Sequence, residues 1–174
     1  GPRARRSATL NGRPLGPEAM NTDISTRYHT GHLLRRAQQL HLALWNREVS
    51  LDVSSVQFAA LSVLERRPGI GQVDLGAELD LDRSTIADLV ERMTRNGLVA
   101  REQSTEDRRR KVLTLTPRGR ATVAELRPRV DRVEELLTEG LGASESEALR
   151  RALLAMLAHG VEQGALRNAA TPTR

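Results

Sequence analysis

The chain has 174 residues and a mass of 19.2 kDa, enough for one domain with extensions and an aliphatic core. It contains no cysteine, which excludes a thiolate zinc site, a cysteine nucleophile, a thiol switch and a disulfide scaffold. Net charge is +5, from 27 Lys and Arg against 22 Asp and Glu. Ten of the cations face only five acids over residues 83–120, a basic segment that reads either as a polyanion-binding face or as a solvated arginine surface.

Three aromatic residues, Tyr28, Trp45 and Phe58, are too few for the stacked platforms that bind single-stranded nucleic acid. No apolar run approaches the roughly 20 residues of a membrane span, so no membrane association is expected and the expected location is the cytoplasm. Residues 1–19 mix Gly, Pro and Arg without hydrophobic period and read as a disordered basic tail. From about Thr22 to Val49 the spacing of Leu33, Ala37, Leu40 and Leu44 predicts a long amphipathic helix. A second helix, capped by Ser54 or Ser55, carries Val56, Ala59, Ala60, Val63 and Leu64 and ends at Pro68-Gly69. A short third helix spans Val73–Leu79, with Val73, Leu75 and Leu79 as its apolar positions.

Asp82 stands at the N-cap of a fourth helix whose stripe is Ile86, Leu89, Val90 and Met93. Asn96-Gly97-Leu98 closes it in a Schellman pattern. The period then changes to two short strands, Val99–Arg101 and Val112–Leu115, around a polar loop at Glu102–Lys111. Thr116-Pro117 opens a fifth helix. In it Val123, Leu126, Val130, Val133 and Leu137 form a 3-4 seam suited to helical association, with a kink expected at Pro128. After Gly140-Leu141-Gly142, Ser144 with Glu147 caps a last helix bearing Leu149, Leu153, Met156 and Leu157.

The fold class is therefore mainly α with a small β-hairpin wing. A winged helix-turn-helix at residues 51–116 is flanked by dimerisation helices at 20–50 and 117–167, with a tail at 168–174.

Asp107, Arg109, Leu115 and Thr116 fit an Asp-x-Arg-x5-Leu-Thr wing signature. Together with Ser84-Thr85-x-Ala87-x-Leu89-Val90-x-Arg92-Met93 and Asn96-Gly97-Leu98-Val99-x-Arg101, this resembles the MarR (multiple-antibiotic-resistance regulator) family of winged-helix transcription factors. The similar order of elements covers roughly residues 24–167. The resemblance implies a homodimer, with the first, fifth and sixth helices interleaved, on a pseudo-palindromic double-stranded DNA operator.

It also implies roles for single residues. Arg83, Ser84, Thr85 and Asp88, with Arg92 one turn on, would meet base edges and phosphates in the major groove. Arg109 would enter the minor groove, oriented by Asp107, while Arg108, Arg110 and Lys111 neutralise flanking phosphates. A solvated loop is the plainer reading of that basic run.

Relatives of this kind release DNA when an anionic, often phenolic, compound binds between the dimer helices and the winged domain. Tyr28, His32, Arg35, Arg36 and Gln39 group polar side chains on the first helix, where the paired arginines suit a carboxylate or phosphate. Trp45 and Phe58 suit the apolar wall of an aromatic pocket. The plain alternative is a hydrogen-bonded dimer interface with arginine ion pairs. His32–Gln39 with Val56-Gln57-Phe58 further resembles a branch tied to aromatic-acid catabolism, which makes an aromatic acid or its CoA thioester the expected effector.

His29 and His32, three apart on one helix, lack further ligands at metal spacing and are read as ordinary helix histidines, so no metal or other cofactor is expected. No nucleophile and base converge in the sequence, and no catalytic residue is assigned. The rival to a ligand-released repressor is a DNA-architectural or protein-interaction module that senses nothing.

Overall fold

The computed structural model describes residues 28–166 together with two two-residue strands near the start of the chain. The rest of the predicted N-terminal tail, the start expected at Thr22 and the tail at 168–174 lie outside the described residues. The molecule divides into two units, 1–42 and 43–174. In the first, β1 (Thr9–Leu10) and β2 (Arg13–Pro14) pair antiparallel, and α1 (Thr30–Glu48) begins. Leu33, Ala37 and Leu40, three of the four residues of the predicted stripe, are exposed; only Leu44 and Trp45, in the second unit, are buried on α1.

The second unit is built on α2 (Ser55–Arg66). Ser54 caps it in a reciprocal box: Ser54 Oγ accepts from the Gln57 amide at 3.2 Å, and Gln57 Oε1 accepts from the Ser54 amide at 2.9 Å. Its inner face is Phe58, Ala60, Leu61, Val63 and Leu64, whereas the predicted Val56 is exposed. The short α3 (Gln72–Glu78) buries Leu75 but leaves Val73 exposed. Seven residues make only two turns, so one buried apolar side chain anchors the element.

The turn into α4 (Arg83–Arg95) closes in a Schellman pattern: Leu81 N–H donates to Gly76 O at 2.9 Å and Asp80 N–H to Ala77 O at 3.2 Å. Asp80 takes the left-handed conformation there, with φ +56°. Gly76 lets the two helices approach, since a Cβ there would stand 3.2 Å from Ile86 Cγ2. On α4 all four predicted stripe residues, Ile86, Leu89, Val90 and Met93, are buried. The expected closure also forms: Leu98 N–H bonds Met93 O at 2.9 Å and Gly97 holds φ +70°.

The hairpin strands are longer than expected. β3 (Val99–Gln103) pairs antiparallel with β4 (Lys111–Leu115), from Val99 opposite Leu115 to Gln103 opposite Lys111. Glu102 and Lys111 are thus strand residues, because the ladder runs out to the turn despite its polar sequence. Ile70 adds a short third edge: its carbonyl accepts from the Leu113 amide at 2.9 Å, and the neighbouring Gly69 amide donates to Leu113 O at 3.0 Å.

Thr116 ties the hairpin to α5 (Pro117–Thr138): its Oγ1 donates to Gly97 O at 2.6 Å and accepts from the Gly119 amide at 2.9 Å. The helix runs on through Pro128 as one element. Its seam was expected to serve association, but Val123, Leu126 and Val133 are buried in this chain's own core, with Val130 and Leu137 packed beside them. A 3-4 stripe specifies burial, not which partner supplies it.

The last helix, α6 (Ala143–Glu162), starts two residues earlier than Ser144 as cap allows: Gly142 is the N-cap, and its amide donates to Glu145 Oε2 at 2.8 Å. Leu149, Leu154, Met156 and Leu157 are exposed on it. Eight of the fourteen exposed large hydrophobic residues described lie on α1 and α6. The core itself is aliphatic, centred on Leu61, Leu64, Leu75, Val90, Met93, Val99 and Val123.

Candidate nucleic-acid interface

The N-terminal turn of α4 is organised by one carboxylate. Asp82 Oδ1 accepts from the Thr85 amide and from Ser84 Oγ, both at 2.8 Å, and Asp82 Oδ2 accepts from Thr85 Oγ1 at 2.8 Å. These bonds, the Thr85 amide first, lower its pKa from 3.8 to about 2. The Ser84 and Thr85 hydroxyls therefore have fixed donors and outward lone pairs. Arg83, Asp88 and Arg92 are exposed on the same helix, so this end of α4 offers cations and hydroxyl acceptors on a rigid scaffold.

The wing turn is fixed through its backbone. Ser104 Oγ accepts from the Glu106 and Asp107 amides at 3.2 and 3.3 Å, and Asp107 Oδ1 accepts from the Arg109 amide at 2.9 Å. Arg110 N–H donates to Asp107 O, and Ser104 N–H to Arg110 O, both at 2.9 Å. Asp107 was expected to orient Arg109; the contact formed is to its main chain, which aims the side chain by fixing the turn. Among the described residues the guanidiniums of Arg108 and Arg109 make no hydrogen bond or ion pair, and both residues are exposed together with Lys111. Arg110 differs, with Nη2 3.8 Å from Asp74 Oδ2 on α3. Gln72 and Asp74 had no signal in the sequence beyond their place on a short helix.

Of the residues read as a ligand site, those in the first unit form two local pairs on α1. His32 Nδ1 lies 3.2 Å from Arg35 Nη2, and Arg36 Nη1 donates to Gln39 Oε1 at 3.4 Å. Tyr28 is exposed just before the helix. In the second unit Trp45 and Phe58 are buried against one another, with ring centroids 6.0 Å apart at 58°. Trp45 Nε1 donates to Val53 O at 2.7 Å. Both rings belong to the core. Among the described residues no three His, Asp or Glu side chains gather as a metal site, and no helix is long and apolar enough to cross a membrane.

The family model described as MarR family matches residues 53–111, the stretch from the entry to α2 through the wing turn. The transcriptional regulator HosA of Escherichia coli is 33% identical over 134 residues, covering 77% of this chain and 98% of its own. The chain belongs to the MarR family.

Two solved MarR-type structures carry the likeness over about four fifths of the chain. The PcaV transcriptional regulator of Streptomyces coelicolor, in complex with its natural ligand, is 36% identical with a TM-score of 0.72, covering 80% of this chain and 99% of that one. BpsR of Bordetella bronchiseptica, whose DNA binding is regulated by 6-hydroxynicotinic acid, is 30% identical with a TM-score of 0.72, covering 78% and 97%. The mainly helical fold with its two-stranded wing is thus that of MarR regulators, and this chain is a transcriptional regulator.

Proposed function

We propose that this MarR-family regulator is a cytoplasmic homodimeric repressor that binds a pseudo-palindromic operator and releases it when a small aromatic acid binds. The observation that carries the DNA reading is the pairing of two pre-set surfaces. The capped turn of α4 presents Arg83, Ser84, Thr85, Asp88 and Arg92, and the backbone-locked wing turn presents Arg108 and Arg109 with Lys111 behind them. A helix end in the major groove and a guanidinium in the adjacent minor groove fit these shapes. Arg109 is the minor-groove residue, and Asp107 positions it.

A dimer is supported by the exposed apolar side chains of α6 and of α1, which a solvated monomer would leave in water. One recognition helix reads few base pairs, and two related by a dyad read half-sites about one helical turn apart.

The effector reading rests on Arg35, Arg36, His32 and Gln39 on α1 and on Tyr28 just before it. BpsR responds to 6-hydroxynicotinic acid, and a carboxylate on an aromatic ring is the chemistry an arginine pair recognises. A ligand empties the operator only by binding the non-DNA-binding arrangement of the dimer more tightly. The test is the effect of Arg35→Ala and Arg36→Ala on DNA release by aromatic acids and by their CoA thioesters. Loss of release with operator affinity retained is expected; unaltered release in both variants would remove the α1 arginines from the site.

A further inference from the structure

Two side-chain links cross from the wing to the N-terminal turn of α3. Arg101 Nη2, on β3, donates to Gln72 Oε1 at 3.3 Å, and Arg110 Nη2, beside β4, stands 3.8 Å from Asp74 Oδ2. The first leaves from β3 and the second from the turn residue that precedes β4. The Ile70–Leu113 bridge adds a backbone tie just before the helix. The turn is closed by Ser104 and Asp107, with Arg110 in its backbone bonds, so the links join an already closed hairpin to α3.

The charge arrangement has a second effect. Arg108 to Lys111 is a run of four cations, each able to bind phosphate without regard to sequence. Asp74 draws one of them aside. Both partners are more than half exposed, so the pair contributes little to folding, and its consequence falls on DNA.

We propose that Gln72 and Asp74 are wing-positioning residues. They hold Arg101 and Arg110 on α3, set the angle at which Arg108 and Arg109 are presented, and withhold one cation from sequence-independent binding, so that they raise discrimination between operator and other DNA. The inference rests on the DNA-binding reading above.

The test uses the full chain and two labelled duplexes, one from the region upstream of its own gene and a scrambled one, titrated over a range of salt. For Asp74→Asn the account expects tighter binding to the scrambled duplex and a salt slope steeper by about one unit, the increment of one further phosphate contact. The ratio of operator to scrambled affinity should fall several-fold. In the D74N/R110A double variant the gain and the extra slope should vanish.

A gain that survives in the double variant would mean that Asp74 merely repels phosphate, which overturns the strap. Wild-type preference for the upstream duplex with an unchanged ratio in D74N overturns the inference alone. Equal binding of both duplexes by the wild type overturns the DNA reading, and the inference with it.

Discussion

Asp107 holds Arg109 by the main chain: its Oδ1 accepts the Arg109 amide at 2.9 Å, and its carbonyl accepts the Arg110 amide at the same distance. The side chain proposed to read DNA and the one that fixes its turn are therefore separable by substitution. Arg109→Ala is expected to weaken operator binding by about 1–3 kcal/mol, roughly 5- to 150-fold, with the oligomeric state unchanged by sedimentation. Asp107→Asn keeps an acceptor oxygen and should stay near wild type, whereas Asp107→Ala should approach the Arg109→Ala loss. Equal behaviour of the Asn and Ala variants would deny the carboxylate its role in the turn.

Asp82 gives α4 a pH dependence whose sign follows from its lowered pKa. The folded value is about 2 against an ordinary 3.8, so the stabilising cap is fully present above about pH 4 and is lost as the pH falls through 2. Exchange of the Thr85 amide should accelerate, relative to its intrinsic rate, over that interval. Asp82→Ser retains a cap without a titrating group, and its Thr85 protection should not follow pH in that window.

Gly119 is fixed by a close approach: a Cβ there would stand 2.0 Å from Leu98 O, where α5 crosses the end of α4 and the start of β3. Backbone has to move to admit even alanine. Gly119→Ala is expected to cost about 1–3 kcal/mol or more, lowering Tm by about 2–4 °C for each kcal/mol. An unchanged melting temperature would show that the junction is looser than its geometry.

The exposed face of α6 predicts the consequence of placing charge there. Leu154 is 66% exposed, so Leu154→Glu should leave the fold of the winged domain intact by circular dichroism. It should also shift the protein toward monomer in analytical ultracentrifugation and abolish tight operator binding. A variant that remains dimeric would move the interface away from this face.

The elements that bury themselves within this chain were the legible ones. On α4 each of Ile86, Leu89, Val90 and Met93 faces the core, and the Asp82 cap and Gly97 closure form where short-range chemistry demands them. What depends on a distant partner was not legible. The α5 seam has the period of an association helix, yet it covers α2 of its own chain. Asp80 occupies a left-handed position that glycine usually fills, so the turn between α3 and α4 gave no sequence mark. At the site, the exposed arginines and hydroxyls were readable from motif spacing. The Gln72 and Asp74 links were not, because they join residues 29 and 36 positions apart through side-chain reach.

Release of the operator by ligand can be read by fluorescence anisotropy on labelled DNA from upstream of the protein's own gene. A scrambled duplex at the same salt serves as control, and aromatic acids including 6-hydroxynicotinic acid, with their CoA thioesters, are titrated in. The account predicts preferential binding to the upstream duplex, reversed by at least one aromatic acid at saturating concentration. Equal binding to both duplexes, unaffected by every compound, would contradict it and favour a DNA-architectural module that senses nothing.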